Sequence, residues 1–486
     1  MAEKLLPIVL IHGYSSEGRD TPATDIYGDL PKQLSEALGT KVVTINLSRW
    51  ISLSDGINLD DVSFALNREL STPNYQAMLQ SGFHCIVHST GALVIRHWLQ
   101  HYSPKPSPVK KVIYMAGALF GSGLSMMGFG QLARWGSIMF RGTQTGIPSL
   151  ETLEFGSNNT LQLHTHFLQP GHRLLDDYGV YEYCLVGSQT LPLMRLIPNR
   201  YMKEDSSDCT VRTASANANF NYFTLTPTES AFSLDSDTVS EHILARLANL
   251  PLPDTCYQLT EINNSDNSPS PYCVTYETAH MGEEIGIVCG RKNRTRVLPR
   301  IKEALLSANT PSARERLAKS WQLQTQKTLA RCTNLKQKTD DWNPKEQYEP
   351  HGQLIFRVRD QFGQDVEQLD ITFQSPARAS GTEDFAKLIE DKAINPHNSG
   401  NVTFYLRTHR YEGCELIDRR ESLKPVIIEI SGAELHSNRI QFLPIMLKLS
   451  REQISALVKP FCTTLVDVTL LRVPSASVFQ VTPARI

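Results

Sequence analysis

A surplus of charge of either sign is missing from this chain. Lys and Arg number 48 against 50 Asp and Glu, a net charge of -2 over 486 residues. Binding a phosphate backbone needs Lys and Arg massed on one face, so nucleic acid is not the expected partner. Long apolar runs are missing too, and no stretch reaches the roughly 20 residues of a membrane-spanning helix. Residues 5–11 behind Lys4 briefly imitate a secretory leader, but the run holds Pro7 and leads into His12-Gly13. It has no small-residue cleavage site and reads as a buried strand. The nine cysteines are odd in number and scattered without paired metal spacing, which indicates neither a disulfide framework nor a zinc site. No metal or cofactor is expected. Export by a route that needs no N-terminal signal stays open.

What is present first is length. A chain of 486 residues exceeds one ordinary compact domain, so two are expected. Over residues 1–310, short apolar runs alternate with amphipathic ones. Strands are expected at 6–11, 41–47, 83–87, 111–115, 181–186 and 222–225. Helices are expected at 30–38, stopped by Gly39, and at 59–70, 92–100 and 297–306. This alternation predicts a mostly parallel sheet with helices on both faces. It lapses at 117–172 and again at 226–270, where one helix is expected at 240–250, and both stretches read as insertions. Residues 118–140 hold eleven large apolar side chains, five glycines and one charge, Arg134, the composition of a cap. A polar linking helix at 311–339 leads to a region from residue 340 to 486 with period two. There Leu354, Phe356 and Val358, then Val402, Phe404 and Leu406, then Val466, Val468 and Leu470 alternate with other residues. About seven strands of an antiparallel β-sandwich are expected in it.

The strongest chemical signal is Phe83-His84-Cys85-Ile86-Val87-His88-Ser89-Thr90-Gly91-Ala92. An apolar strand enters a sharp turn at a serine and leaves as a helix, the form of a nucleophile elbow. Small residues flank the serine in this motif because strand and helix approach closely. Gly91 supplies the second and Val87 stands in place of the first. An ordinary turn with an incidental serine is the plainer reading of that segment alone. A second signal is His12-Gly13-Tyr14, which ends the first strand. The backbone amides of Tyr14 and Thr90 would converge there on a developing oxyanion, one such donor being worth roughly a hundred- to a thousandfold in rate.

An acid and a base follow in the order serine, aspartate, histidine. Asp208 lies in Ser206-Ser207-Asp208-Cys209-Thr210-Val211, similar to the Ser-Asp-Gly-Thr-Val turn of lipase-like hydrolases with Cys209 in place of glycine. Asp205 is its rival. His280, in Thr278-Ala279-His280-Met281-Gly282, follows the run 272–276 as the base of such a sheet does. His242 is the weaker candidate, and His12 and His88 are assigned to packing. A serine hydroxyl becomes a nucleophile when a neutral imidazole takes its proton, and a buried carboxylate fixes the imidazole tautomer. These residue types in this order predict an α/β-hydrolase domain that cleaves esters.

His88-Ser89-Thr90-Gly91 behind a non-glycine, the segment Tyr27-Gly28-Asp29-Leu30-Pro31, and a separate β-rich second domain together resemble the PlaB-like bacterial phospholipases. In that family the nucleophile motif lacks its first glycine, which makes Val87 part of the likeness. The resemblance covers the first domain well and the second only by size and β character. It implies phospholipase A and lysophospholipase action on glycerophospholipids. It also implies attachment to a bacterial membrane surface, the outer membrane included, without a spanning helix, and homo-oligomers; a cytoplasmic location is the alternative. By position it carries the nucleophile onto Ser89, the acid onto Asp208 and the base onto His280. Met127, Phe129 and Trp135, within 118–140, are the expected lipid contacts if that stretch is a flap and core residues if it is not. Two other functional classes stay open: a carboxylesterase or thioesterase acting on soluble esters, and a non-catalytic interaction protein on a hydrolase fold.

Overall fold

The computed structural model describes residues 5–12, 24–45, 47, 56–123, 125–126, 151–191, 200–252, 256–263, 269–338, 343–375, 383–435, 439–475 and 478. The chain forms two compact units. One comprises Met1–Asn219, Ser265–Glu349 and Tyr411–Leu416; the other comprises Phe220–Asn264, Pro350–Arg410 and Ile417–Ile486.

Eight strands come early in the chain: β1 (Ile8–His12), β2 (Val42–Ile45), β3 (Phe83–His88), β4 (Val109–Met115), β5 (Tyr181–Gly187), β6 (Phe220–Pro227), β7 (Tyr257–Asn263) and β8 (Tyr272–Thr275). Six of them make the sheet of the first unit in the order β2-β1-β3-β4-β5-β8. Every pairing in it is parallel. Parallel sheets bury both faces, which is why Ile8 to Ile11 are all apolar and all of β3, His84 and His88 included, is buried without alternation. The helices start and stop on local signals. Asn58 and Asp61 form a reciprocal capping box ahead of Leu59–Leu70. Gly39 ends Leu30–Leu38 in the left-handed conformation at φ 62.

The helix Pro311–Cys332 departs from the expected linker, for it belongs to the first unit. Trp321 is wholly buried and its Nε1 donates to Glu303 at 2.9 Å. Thr325 Oγ1 accepts from the Val274 amide at 3.1 Å, and Thr328 Oγ1 donates to the Val274 carbonyl at 3.0 Å. Since β8 is an edge strand, these two threonines satisfy backbone groups that a neighbouring strand would otherwise pair. In the first half of β4, buried Lys111 donates to the carbonyls of Ala304 (3.0 Å) and Leu305 (2.7 Å). It caps the negative end of Leu298–Leu306, and burial lowers its pKa to about 8.

The second unit holds a six-stranded sheet in the order Ile389–Ile394, Asn401–Arg407, His351–Asp360, Thr463–Leu470, β6, β7. Thr463–Leu470 lies at its centre and runs parallel to both neighbours. The other pairings are antiparallel. A three-stranded antiparallel sheet, Gln368–Gln374, Val426–Ala433 and Ile445–Leu449, shares its core, in which Phe356, Ile371, Ile430 and Val466 are buried together. The β-rich second unit is as expected, but its boundary is not. β6 was expected in the first sheet and 226–270 as an insertion of the first domain. β6 and the following chain to residue 264 belong to the second unit, where Phe223 and Leu225 bury in its core with Val466 and Val468, and only 265–270 stay with the first.

Candidate active site

The site is built where strands of the first sheet end. β3 stops at His88, and Ser89 takes φ 54, a left-handed conformation that costs an L-residue about 1–2 kcal/mol. Backbone bonds hold it there: its amide donates to the Met115 carbonyl at 3.2 Å, and its carbonyl accepts from Ala92 (3.1 Å) and Ala118 (3.2 Å). Thr90 then leads into the helix Gly91–His101, so its amide sits at the electropositive end of that helix. Tyr14 and Gly13, expected on the other side of the oxyanion, lie outside the described residues. His12 ends β1 directly opposite His88 in register.

Asp208 occupies a turn closed on itself. Thr213 donates its amide to the Ser206 carbonyl at 2.8 Å, and Asp208 donates its own to Val211 at 3.2 Å. Asp208 Oδ1 accepts from the amides of Thr210 (3.1 Å) and Val211 (2.8 Å). The turn needs φ 52 at Ser206 and φ 77 at Cys209. This second value explains the glycine of the related turn; here a cysteine with a buried side chain carries the strain. Arg212, wholly buried next to the turn, is matched by Glu204, with Nε at 3.0 Å from Oε2. The sequence reading missed that ion pair, whose only signal is two opposite charges eight residues apart.

Five residues after β8 comes His280. The chain reverses at Glu277, φ 51, whose amide donates to the Tyr348 hydroxyl at 2.9 Å while Arg296 donates to its carbonyl at 2.9 Å. The last residue of β5, Gly187, passes so close that a Cβ there would lie 2.0 Å from the Thr278 carbonyl oxygen. Only glycine fits at that crossing.

These three turns bring Ser89, Asp208 and His280 together. His280 Nδ1 donates to Asp208 Oδ2 at 2.9 Å, and Nε2 lies 3.2 Å from Ser89 Oγ. Both Asp208 and His280 are completely buried. With its proton on Nδ1, the ring turns the Nε2 lone pair to the serine hydroxyl, the geometry needed for removing a proton as oxygen attacks a carbonyl. The carboxylate that meets His280 is that of Asp208, and not of Asp205. His242 is in the second unit, with Nδ1 at 2.7 Å from the Thr238 carbonyl.

His88 does more than fill space. Its Nε2 donates to the His280 carbonyl at 3.2 Å, and the two rings lie 4.6 Å apart. Burial, and then the neighbouring His280, push its pKa well below the usual histidine range. A neutral ring therefore braces the His280 backbone without competing for charge. Of the stretch expected as a cap, Ala118, Leu119 and Phe120 are core residues, with Phe120 stacked on His164 at 4.3 Å. Met127, Phe129 and Trp135 lie outside the described residues.

No protein-family model matches the chain. None of the curated proteins is similar to it. Its fold is that of phospholipase PlaB from Legionella pneumophila. Against the structure of that protein in complex with thio-NAD the TM-score is 0.77 at 20% identity, covering 99% of this chain and 96% of the other. A second structure of the same phospholipase gives 0.75 with the same identity and coverage.

Proposed function

We propose that this chain is a serine ester hydrolase acting on glycerophospholipids and lysophospholipids. The observation that carries the reading is the line from Ser89 Oγ through the His280 ring to Asp208, at 3.2 and 2.9 Å. Ser89 attacks the acyl carbonyl while His280 takes its proton, and the alcohol leaves with that proton as the acyl-enzyme forms. Water, deprotonated by the same imidazole, then releases the fatty acid. The amides of Thr90 and Tyr14 receive the oxyanion. Support for a lipid substrate comes from the fold shared over nearly the whole length with a phospholipase, and from the apolar stretch that contains Met127, Phe129 and Trp135. No helix of the described residues is long and apolar enough to cross a membrane. Attachment is therefore proposed to be peripheral, with those three side chains in the lipid, and the working form to be a homo-oligomer.

A fluorophosphonate probe and two substrates test the reading. The wild-type chain should be labelled and Ser89→Ala should not. Vesicles of mixed phospholipids should release fatty acid and lysophospholipid. Replacing Met127, Phe129 and Trp135 together with serine should weaken vesicle hydrolysis while sparing a short p-nitrophenyl ester. Labelling with hydrolysis of the soluble ester alone would mark a carboxylesterase or thioesterase instead. Absence of labelling in the folded wild-type chain would leave a non-catalytic protein.

A further inference from the structure

At the far end of the helix that follows Ser89 lies a cluster the hydrolase reading does not use. Gly91–His101 carries His97 and His101 four residues apart, so both rings leave one face of it. Their centroids are 4.2 Å apart. Leu59–Leu70 packs beside this helix, with Trp98 Nε1 donating to Asn67 at 3.2 Å, and holds Asp60 in its first turn. One donor atom from each of Asp60, His97 and His101 lies within 4.8 Å of the other two. His97 Nε2 is 3.0 Å from Asp60 Oδ1. Asp60 and His101 are exposed and His97 is half-buried, so the cluster opens to solvent.

Ser63 governs what can stand between His97 and Asp60. Its hydroxyl lies 3.0 Å from the Asp60 carbonyl oxygen and 2.7 Å from His97 Nδ1, and it has one proton to give. When that proton goes to the carbonyl, the hydroxyl accepts from Nδ1–H, and Nε2 presents its lone pair to the Asp60 carboxylate. Two acceptors at that distance repel. A cation in the gap turns the repulsion into attraction, and a metal ion is the cation that engages His101 as well. The hydrogen bond from Nδ1 to Ser63 is of the kind that fixes the tautomer of a metal-bound histidine. The last turn of Gly91–His101 and the Asp60 carboxylate both favour a cation, against the positive end of Leu59–Leu70, whose first turn Asp60 occupies.

We propose that Asp60, His97 and His101 bind a divalent transition-metal ion of the zinc class, with Ser63 orienting His97, and that the ion clamps the two helices together. Two imidazole nitrogens and one carboxylate oxygen suit zinc and its first-row neighbours, whereas calcium and magnesium take oxygen ligands. Ligand bonds of about 2.0–2.2 Å require the three side chains to converge by small rotations, and leave a coordination position for water. The proposal is independent of what Ser89 does.

Titration of the chelator-treated full chain with Zn²⁺ at neutral pH, followed by calorimetry, tests it. One site should fill in the wild-type chain, weakened about tenfold or more in His101→Ala and in His97→Gln. At a hundredfold excess over Kd, Zn²⁺ should raise the melting midpoint of the wild type by roughly 5 °C and leave the double variant unmoved. Mg²⁺ should do neither. His101 is exposed, so an unchanged midpoint in chelator shows that its variant is folded. Equal Zn²⁺ affinity in wild type and double variant would overturn the proposal, as would no binding to the wild type at micromolar Zn²⁺. So would a thiolate charge-transfer band with Co²⁺, which would place the ion on cysteine.

Discussion

Among the described residues seven non-glycines adopt a left-handed φ, and five of them belong to the first unit. Ser89 is the nucleophile candidate itself. Ser206 and Cys209 shape the turn that presents Asp208, Glu277 reverses the chain before His280, and Ala116 follows the carbonyl that receives the Ser89 amide. Among the described residues of the second unit only Asn249 and Phe461 share that conformation. Asn249 follows the helix Ser236–Leu247, a place where asparagine adopts it readily. Each such residue costs about 1–3 kcal/mol and persists only where its surroundings over-determine it. The second unit has more strands and spreads a large apolar core beneath them, yet it bends its backbone off the ordinary path far less. Strain in this molecule is gathered at the three turns that hold one serine, one histidine and one aspartate.

If the second unit is an apolar scaffold organised around its central strand, a chain ending at residue 462 should lose it altogether. The net stability of a domain is only about 5–15 kcal/mol, and a central strand with neighbours on both sides contributes more than that to the folded sheet. Scanning calorimetry should show the transition of that unit gone and the chain aggregating. Two retained transitions would mean that the sheet is not built around Thr463–Leu470. The strained unit is probed through the three side chains proposed for catalysis. Ser89→Ala, His280→Ala and Asp208→Asn should each lower kcat by about four to six orders of magnitude, with little change in melting temperature. The triple variant should be no worse than the weakest single. Asp205→Asn should stay near wild type, and a reversal between the two aspartates would remove Asp208 from its role.

A smaller effect measures the strain itself. Cys209→Val places a β-branched side chain at φ 77 and should destabilise by about 2–3 kcal/mol. Cys209→Gly should stay within about 1 kcal/mol, since relief of strain offsets lost packing. Urea unfolding of both variants checks the pair. The smallest expected effect concerns acid. Burial, helped by the charge of Lys111, pushes His84 in β3 down to a pKa of about 3. The unfolded ring protonates near its ordinary value of about 6.5. Between those values the unfolded state binds more protons, so the stability of the neutral ring, complete above about pH 6.5, is lost as pH falls toward 3. Between pH 7 and pH 5 the wild type should lose about 2 kcal/mol more than His84→Phe. Parallel losses in urea midpoints would show that other groups set the acid response.

The first sheet was legible because a parallel strand buried on both faces writes a nearly continuous apolar run, as residues 8–11 do and as 83–87 do apart from His84. The elbow, Asp208 and His280 were legible because each follows such a run in the required order. β6 misled because Phe223 and Leu225 are equally suited to either core, and nothing local says which sheet a strand joins. The helix over 311–332 read as a linker because it is polar almost throughout; its role lies in Thr325 and Thr328, whose hydroxyls bond a strand edge instead of packing. His88 was read as packing since a hydrogen bond to a carbonyl 192 residues away leaves no local trace. The same holds for Asp60 and His97: four-residue spacing of His97 and His101 is visible, but the carboxylate comes from another helix.

The parallel pairing of Thr463–Leu470 with β6 has a consequence for how the protein is made. Thr463 lies opposite Phe220, so 243 residues of chain separate the partners. At a translation rate of about 5–20 residues per second, β6 waits roughly 12–50 s on the ribosome for its neighbour. Its own hairpin mate β7 arrives early and covers one side. The other side stays an open edge of alternating apolar residues, the kind that pairs with foreign strands. High contact order slows such a sheet further once the chain is complete. The interval before Thr463–Leu470 is made is therefore when the edge of β6 is most open to foreign strands.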